Sequence, residues 1–119
     1  MSWEIFIHDL PDVPSIHDVP KGHVPGNIGS RAELEKRIRE VVPYAETQDE
    51  WMFARRPGID LSIQFHNGPD GLVRYILVHV HEGEQSASCV AAIVQHLGLR
   101  AIDTATGEFF DPISLDESL

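Results

Sequence analysis

Between Leu61 and His81 the chain alternates with period two. Leu61, Ile63 and Phe65 interleave with Ser62, Gln64 and His66; Asn67-Gly-Pro-Asp-Gly71 follows; then Ile76, Val78 and Val80 interleave with Tyr75, Leu77, His79 and His81 within Leu72–His81. Successive side chains of a strand point to opposite faces, so each run has one apolar face and one mixed face. The Asn-Gly-Pro-Asp-Gly segment supplies turn chemistry and no continuing ladder, so the two runs read as a hairpin. An apolar sheet face must be covered, and a one-residue slip would expose it entirely. The rest of the chain therefore has to supply a covering layer.

Two segments supply it. Ser30-Arg-Ala-Glu33 has capping-box spacing, and Leu34, Ile38, Val41 and Val42 follow at helical spacing until Pro43. Ser86–Leu97 is the second helical segment, with Ser86 read as its cap and Gly98 as a left-handed stop before Leu99. Trp3 to His8 alternates as a strand, Asp49 to Arg56 is a strand carrying Trp51 and Phe53 on one side, and Ala101 to Asp103 forms a short strand before a Thr104–Gly107 turn. The order β-α-β-β-β-α-β predicts an α+β fold: a mostly antiparallel sheet with two helices on one face, in ferredoxin-like order with an added strand. The predicted core holds Ile5, Ile7, Leu34, Ile38, Ile63, Phe65, Val78, Val80, Ile93 and Leu97.

At 119 residues with 42% hydrophobic content the chain is expected to form one domain, 1–119. Prolines 11, 14, 20 and 25 and glycines 22, 26 and 29 make 10–29 an extended connection, and its interspersed Val13, Ile16, Val19, Val24 and Ile28 argue that it packs on the domain. The tail 114–119 is expected to fray. Nineteen acidic against nine basic residues give a net charge of −10, which disfavours nucleic acid and anionic membranes and suits a basic protein partner. Arg55-Arg56 is too small a basic patch to bind phosphates. Cys89 stands alone, which excludes an intrachain disulfide, and its place in an apolar pattern makes it a core residue. No basic region followed by an apolar run opens the chain, and no segment approaches the ~20 apolar residues of a membrane helix. The expected location is cytoplasmic.

The ending Leu97-Gly-Leu-Arg-Ala-Ile-Asp-Thr-Ala-Thr-Gly-Glu-Phe-Phe110, with the N-terminal strand and the Pro-rich segment leading into Ile28-Gly-Ser-Arg31, resembles a group of small bacterial proteins. They share this order of elements and an ending of the form LGLRAxDxxTGEFF. The resemblance covers most of the chain and implies one intact domain; it implies no activity and no catalytic residues. Such a short free-standing chain is also similar to cargo of mobile gene cassettes and to products of toxin-immunity loci.

The chemistry-bearing pattern is the placement of histidine. If Ile76, Val78 and Val80 face the helices, the opposite sheet face gathers His66, Tyr75, His79 and His81, with Phe6, His8, Gln64 and Leu77 beside them. These four are the candidate ligand- or partner-binding residues. His79 and His81, at i and i+2, could share a metal with Glu82 or Glu84, but the same alternation occurs in ordinary sheets, so no metal and no cofactor is expected. Ser86 and Ser88 beside Cys89 lack a nucleophile elbow. Asp103, Thr104, Thr106 and Glu108 read as a polar turn, and His96 as a cation at a helix C-terminus. The favoured function is a non-enzymatic interaction domain that binds itself, as a homodimer, or a partner through the open sheet face. The alternatives are a small-molecule-binding module or small enzyme built on the His/Tyr face, and an immunity-type protein whose acidic surface masks a basic toxin.

Overall fold

The computed structural model describes residues 3–10, 16–23 and 26–110. Its strands are β1 (Trp3–His8), β2 (Glu46–Gln48), β3 (Trp51–Arg56), β4 (Ile59–Asn67), β5 (Val73–Glu82), β6 (Arg100–Asp103) and β7 (Glu108–Phe110); its α-helices are α1 (Arg31–Val41) and α2 (Ser86–Leu97). All the strands belong to one antiparallel sheet in the order β2-β3-β4-β5-β1-β6-β7. The fold is α+β. Its middle strands β4-β5-β1-β6 follow the ferredoxin-like order, but the sheet as a whole does not, because β2-β3 extend one edge and β7 the other.

Two strands had no counterpart in the expected order. Glu46–Gln48 is polar and exposed, so it carries no alternation to read, and it is held by pairing with β3 and by a hydrogen bond from Arg39 of α1 to the Thr47 hydroxyl. Asp49 and Glu50, expected inside a strand, instead make the turn between β2 and β3, with Asp49 at φ 55°. Phe109-Phe110 forms β7 against β6, one ring on each face of the sheet.

Both helices lie against the face formed by Ile5, Ile7, Met52, Leu61, Ile63, Ile76 and Val78, which are fully buried. All ten expected core residues are buried. Ser30 accepts from the Glu33 amide at the start of α1, as the capping-box spacing requires. Gly98 sits at φ 68°, and the amides of Gly98 and Leu99 return to Gln95 and Val94, closing α2. Ser86 is not the cap: Gln85 holds that position without a side-chain bond. Ser86 is instead fully buried; its hydroxyl donates to the Glu82 carbonyl at 2.7 Å and accepts the Asp60 amide at 3.1 Å. It therefore ties α2 to the ends of β4 and β5.

In the connection 10–29, Ile16–Asp18 forms one turn of 3-10 helix, where no regular structure was expected. Ile28 packs against the core, Ile28 and Gly29 exchange backbone bonds with Val73, and Asp9 receives Gly26 and His23. Val13, Val24 and the tail 114–119 lie outside the described residues.

Candidate functional site

With the helices on one side, alternation leaves every other residue of each strand on the opposite face. The pairing registers align these residues in rows across the sheet. Trp51 pairs with Gln64, Gln64 with Leu77, Leu77 with Phe6, Phe6 with Ile102, and Ile102 with Phe109, so one row crosses six strands and is apolar except at Gln64. On one side of it runs the row Phe53, Ser62, His79, Glu4; on the other, His66, Tyr75, His8, Arg100. Apart from buried Ser62, these residues are all half-buried.

His66, Tyr75, His79 and His81 share this face but form two groups. His66 stacks on Tyr75 at 4.4 Å between ring centroids and 10° between planes, and Tyr75 stacks on His8 at 5.0 Å and 15°. Phe6 leans on Tyr75 at 5.4 Å. Burial in this stack holds the pKa of His8 below its ordinary value, against a smaller opposing pull from the Asp9 charge. Beyond Leu77, His79 meets Trp51 at 5.6 Å and lies parallel to His81 at 6.4 Å. His79 Nδ1 faces the Glu4 carboxylate at 3.6 Å, and His81 Nε2 is 2.7 Å from Ser62 Oγ.

Ser62 makes the relief of the second group. A small residue stands in a row between Phe53 and His79, and the missing bulk leaves a shallow, almost wholly apolar hollow of about 320 Å³ lined by Trp51, Phe53, Ser62, His79 and His81. The Phe53 rim carries Arg55, whose guanidinium lies 4.6 Å from the ring centroid. At the far edge Arg100 covers Phe109 at 3.6 Å.

Sequence reasoning left Trp51, Phe53, Ser62 and Glu4 out of the site. The available signal was the two-residue Pro57-Gly58 turn, since counting back from it sets Phe53 opposite Ser62.

Three chemical readings can be compared with this geometry. Among the described residues no three His, Cys, Asp or Glu side chains converge to hold a metal ion. His79 and His81 lie parallel without aiming at a common point, and His81 Nε2 is engaged by Ser62. Ser62 and His81 have the spacing of a nucleophile and base, yet no carboxylate orients His81 among the described residues, and Ser62 sits mid-strand where neighbouring amides belong to ladders rather than to an oxyanion hole. His66 Nε2 and His79 Nε2 are buried and have no hydrogen-bond partner among the described residues. These rings act as enclosed aromatic surface. A face of tyrosine, tryptophan, phenylalanine and arginine has the composition of a protein interface core.

Elsewhere, Asp103 is a turn organiser: its carboxylate accepts from Trp3 Nε1 at 2.6 Å and from the Ala105 amide at 2.9 Å. His96 faces Glu40 of α1 at 3.0 Å, a helix-to-helix clasp. Cys89 is half-buried, and burial raises its pKa although its bond with Tyr44 works the other way. Scans against family models, curated proteins and solved structures find no match to this chain.

Proposed function

We propose that this protein is a non-enzymatic interaction domain that self-associates through the face of its sheet opposite α1 and α2. The observation that carries the reading is the row Trp51, Leu77, Phe6, Ile102 and Phe109, half-buried and interrupted only by Gln64, which crosses six of the seven strands on the face opposite α1 and α2. Partly exposed apolar surface of this kind marks a binding face.

Charge points to a second copy rather than a basic protein. The chain carries −10, and the charges that the pairing registers set on or beside this face, Glu4, Glu46, Asp60 and Glu82 against Arg55 and Arg100, make up only a small part of that excess. A basic partner would be drawn to the acidic surfaces elsewhere. Size also fits: six inter-strand gaps of ~4.8 Å and about five residues of strand give roughly 500 Å² of projected face, hence about 1,000 Å² for a pair, at the threshold for a specific interface. The sheet edges are poor alternatives, since β2 and β7 are three residues long and carry Glu46 and Glu108.

A cytoplasmic location is part of this proposal; no helix among the described residues is long and apolar enough to cross a membrane. The hollow at Trp51 and His79 favours a second reading, a small apolar ligand bound at the same place.

Sedimentation at micromolar concentration tests the proposal. A dimer that becomes a monomer in Leu77→Asp, while exposed Lys36→Asp on α1 leaves the mass unchanged, supports it. A wild-type monomer refutes it, and a monomer whose Trp51 fluorescence responds to small apolar compounds favours the second reading.

A further inference from the structure

We infer that the second copy docks about a two-fold axis lying in the sheet face, perpendicular to the strands and along the row Trp51, Gln64, Leu77, Phe6, Ile102 and Phe109. This rests on the self-association proposed above and goes further by fixing which residues meet. A closed pair must be isologous, and two sheets facing each other can be related by an axis in the contact plane. For full overlap of these faces the axis runs either across the strands or along the central strand β5.

The two placements bring different residues together. An axis along β5 sets Phe6 against the second copy's Gln64 and Phe109 against its Gln48, and it opposes His8 to His66 and His79 to His79. Apolar rings then meet amides, and imidazole meets imidazole. An axis along the row lays each member on its own counterpart: Leu77 on Leu77, Phe6 on Phe6, Ile102 on Ile102. Gln64 meets Gln64, and two amides satisfy each other as donor and acceptor.

The flanking rows then exchange places across the axis. Glu4 comes to face the second copy's His8, and Ser62 faces its His66, while Tyr75 faces His79. Each of these pairs matches an acceptor or carboxylate with an imidazole, or a ring with a ring. The axis along the row is the placement that keeps apolar surface on apolar surface and sets the Glu4 carboxylate opposite an imidazole that can donate to it. A crossing angle near 30° between the two sheets, the usual value for aligned packing, needs only ~15° of tilt of the axis from the strand normal.

Site-specific cross-linking reads the axis directly. In a Cys89→Ala background, checked by sedimentation to remain dimeric, single cysteines are placed at Gln64→Cys, Ile102→Cys, Glu4→Cys and His8→Cys and treated with a short thiol-to-thiol linker. Residues on the axis lie about 10 Å from their counterparts, the spacing of stacked sheets, whereas Glu4 lies about 17 Å from its own counterpart. The expected result is efficient covalent dimer for Gln64→Cys and for Ile102→Cys, little for Glu4→Cys or His8→Cys alone, and recovery when those two proteins are mixed. A sedimenting dimer in which neither Gln64→Cys nor Ile102→Cys cross-links overturns the axis and leaves self-association standing. A monomer overturns the self-association and the axis with it.

Discussion

Ile63 and Gln64 are neighbours in β4 on opposite faces, and truncating each in turn tests the face assignment on which the site depends. Ile63 is fully buried opposite Met52 and Val78, whereas Gln64 is half-buried on the side opposite α1 and α2. Ile63→Ala removes three carbons, about 2.4 kcal/mol of transfer free energy, and the cavity left among β-branched and helical neighbours raises the total to about 3 to 4 kcal/mol. Gln64→Ala should cost within about 1 kcal/mol, the range of a substitution that opens no cavity. Urea unfolding followed by Trp3 and Trp51 fluorescence measures both, at a single protein concentration because a dimer links stability to concentration. The midpoint should fall for Ile63→Ala with an unchanged slope, and its thermal midpoint should drop by roughly 12 to 16 °C at about 4 °C per kcal/mol. A loss below about 0.5 kcal/mol at Ile63, or a larger loss at Gln64, would mean the sheet is inverted, since register allows no intermediate.

Ser86→Ala strands the Asp60 amide and the Glu82 carbonyl and should cost about 1 to 3 kcal/mol in the same unfolding assay; a loss of a few tenths would mean that water takes the hydroxyl's place. Glu40 is held below its ordinary pKa of 4.5, first by its hydrogen bond from His96, so its contribution is present above that pH and lost as pH falls through the lower folded value. Acid titration of stability should therefore show a component that is missing in Glu40→Gln, and superimposable curves would dismiss the clasp. His8 is depressed by burial below 6.5; the folded state prefers it neutral, so its contribution is complete above 6.5 and lost as pH falls through the lower folded value. His8→Gln should flatten that segment of the stability profile, and an unchanged slope would show that the ring is solvated.

Much of this architecture was legible because alternation survives wherever a strand has a covered face. Ile76, Val78 and Val80 on one side of β5 oblige Tyr75, Leu77, His79 and His81 to occupy the other, and the helix positions Leu34, Ile38, Ile93 and Leu97 follow from spacing in the same way. β2 was illegible because Glu46, Thr47 and Gln48 bury nothing, and β7 because Phe109 and Phe110 are both apolar on opposite faces. The candidate site was legible as a face and not as an arrangement. Which rings stack depends on cross-strand register, and register brings His66 to Tyr75 and His79 to Trp51 only once the β3–β4 and β4–β5 turns are fixed. The role of Ser62 had the same origin, for a serine in a strand signals nothing until Phe53 and His79 stand on either side of it.

The charge on the chain supplies a last constraint, on how strongly two copies hold together. Each carries −10, and the short axis of the molecule is 25 Å, so stacked copies have centres about that far apart. Treated as point charges in water they repel by roughly 7 kcal/mol at 0.01 M salt, where the screening length is ~30 Å, and by under about 1 kcal/mol at 0.15 M, where it is ~8 Å. Spreading the charge over the surface reduces the first figure to a few kcal/mol but preserves the order. The attraction comes from the burial of Leu77, Phe6 and Ile102, which salt does not screen. Association of two copies should therefore tighten as salt is raised from 0.01 to 0.15 M, by one to two powers of ten in Kd at about 1.4 kcal/mol per tenfold. Capture of a basic protein by the acidic surface would respond in the opposite sense, because screening removes its driving force. Sedimentation equilibrium at the two ionic strengths separates them, and a self-association that weakens with added salt would refute an apolar contact between two like-charged copies.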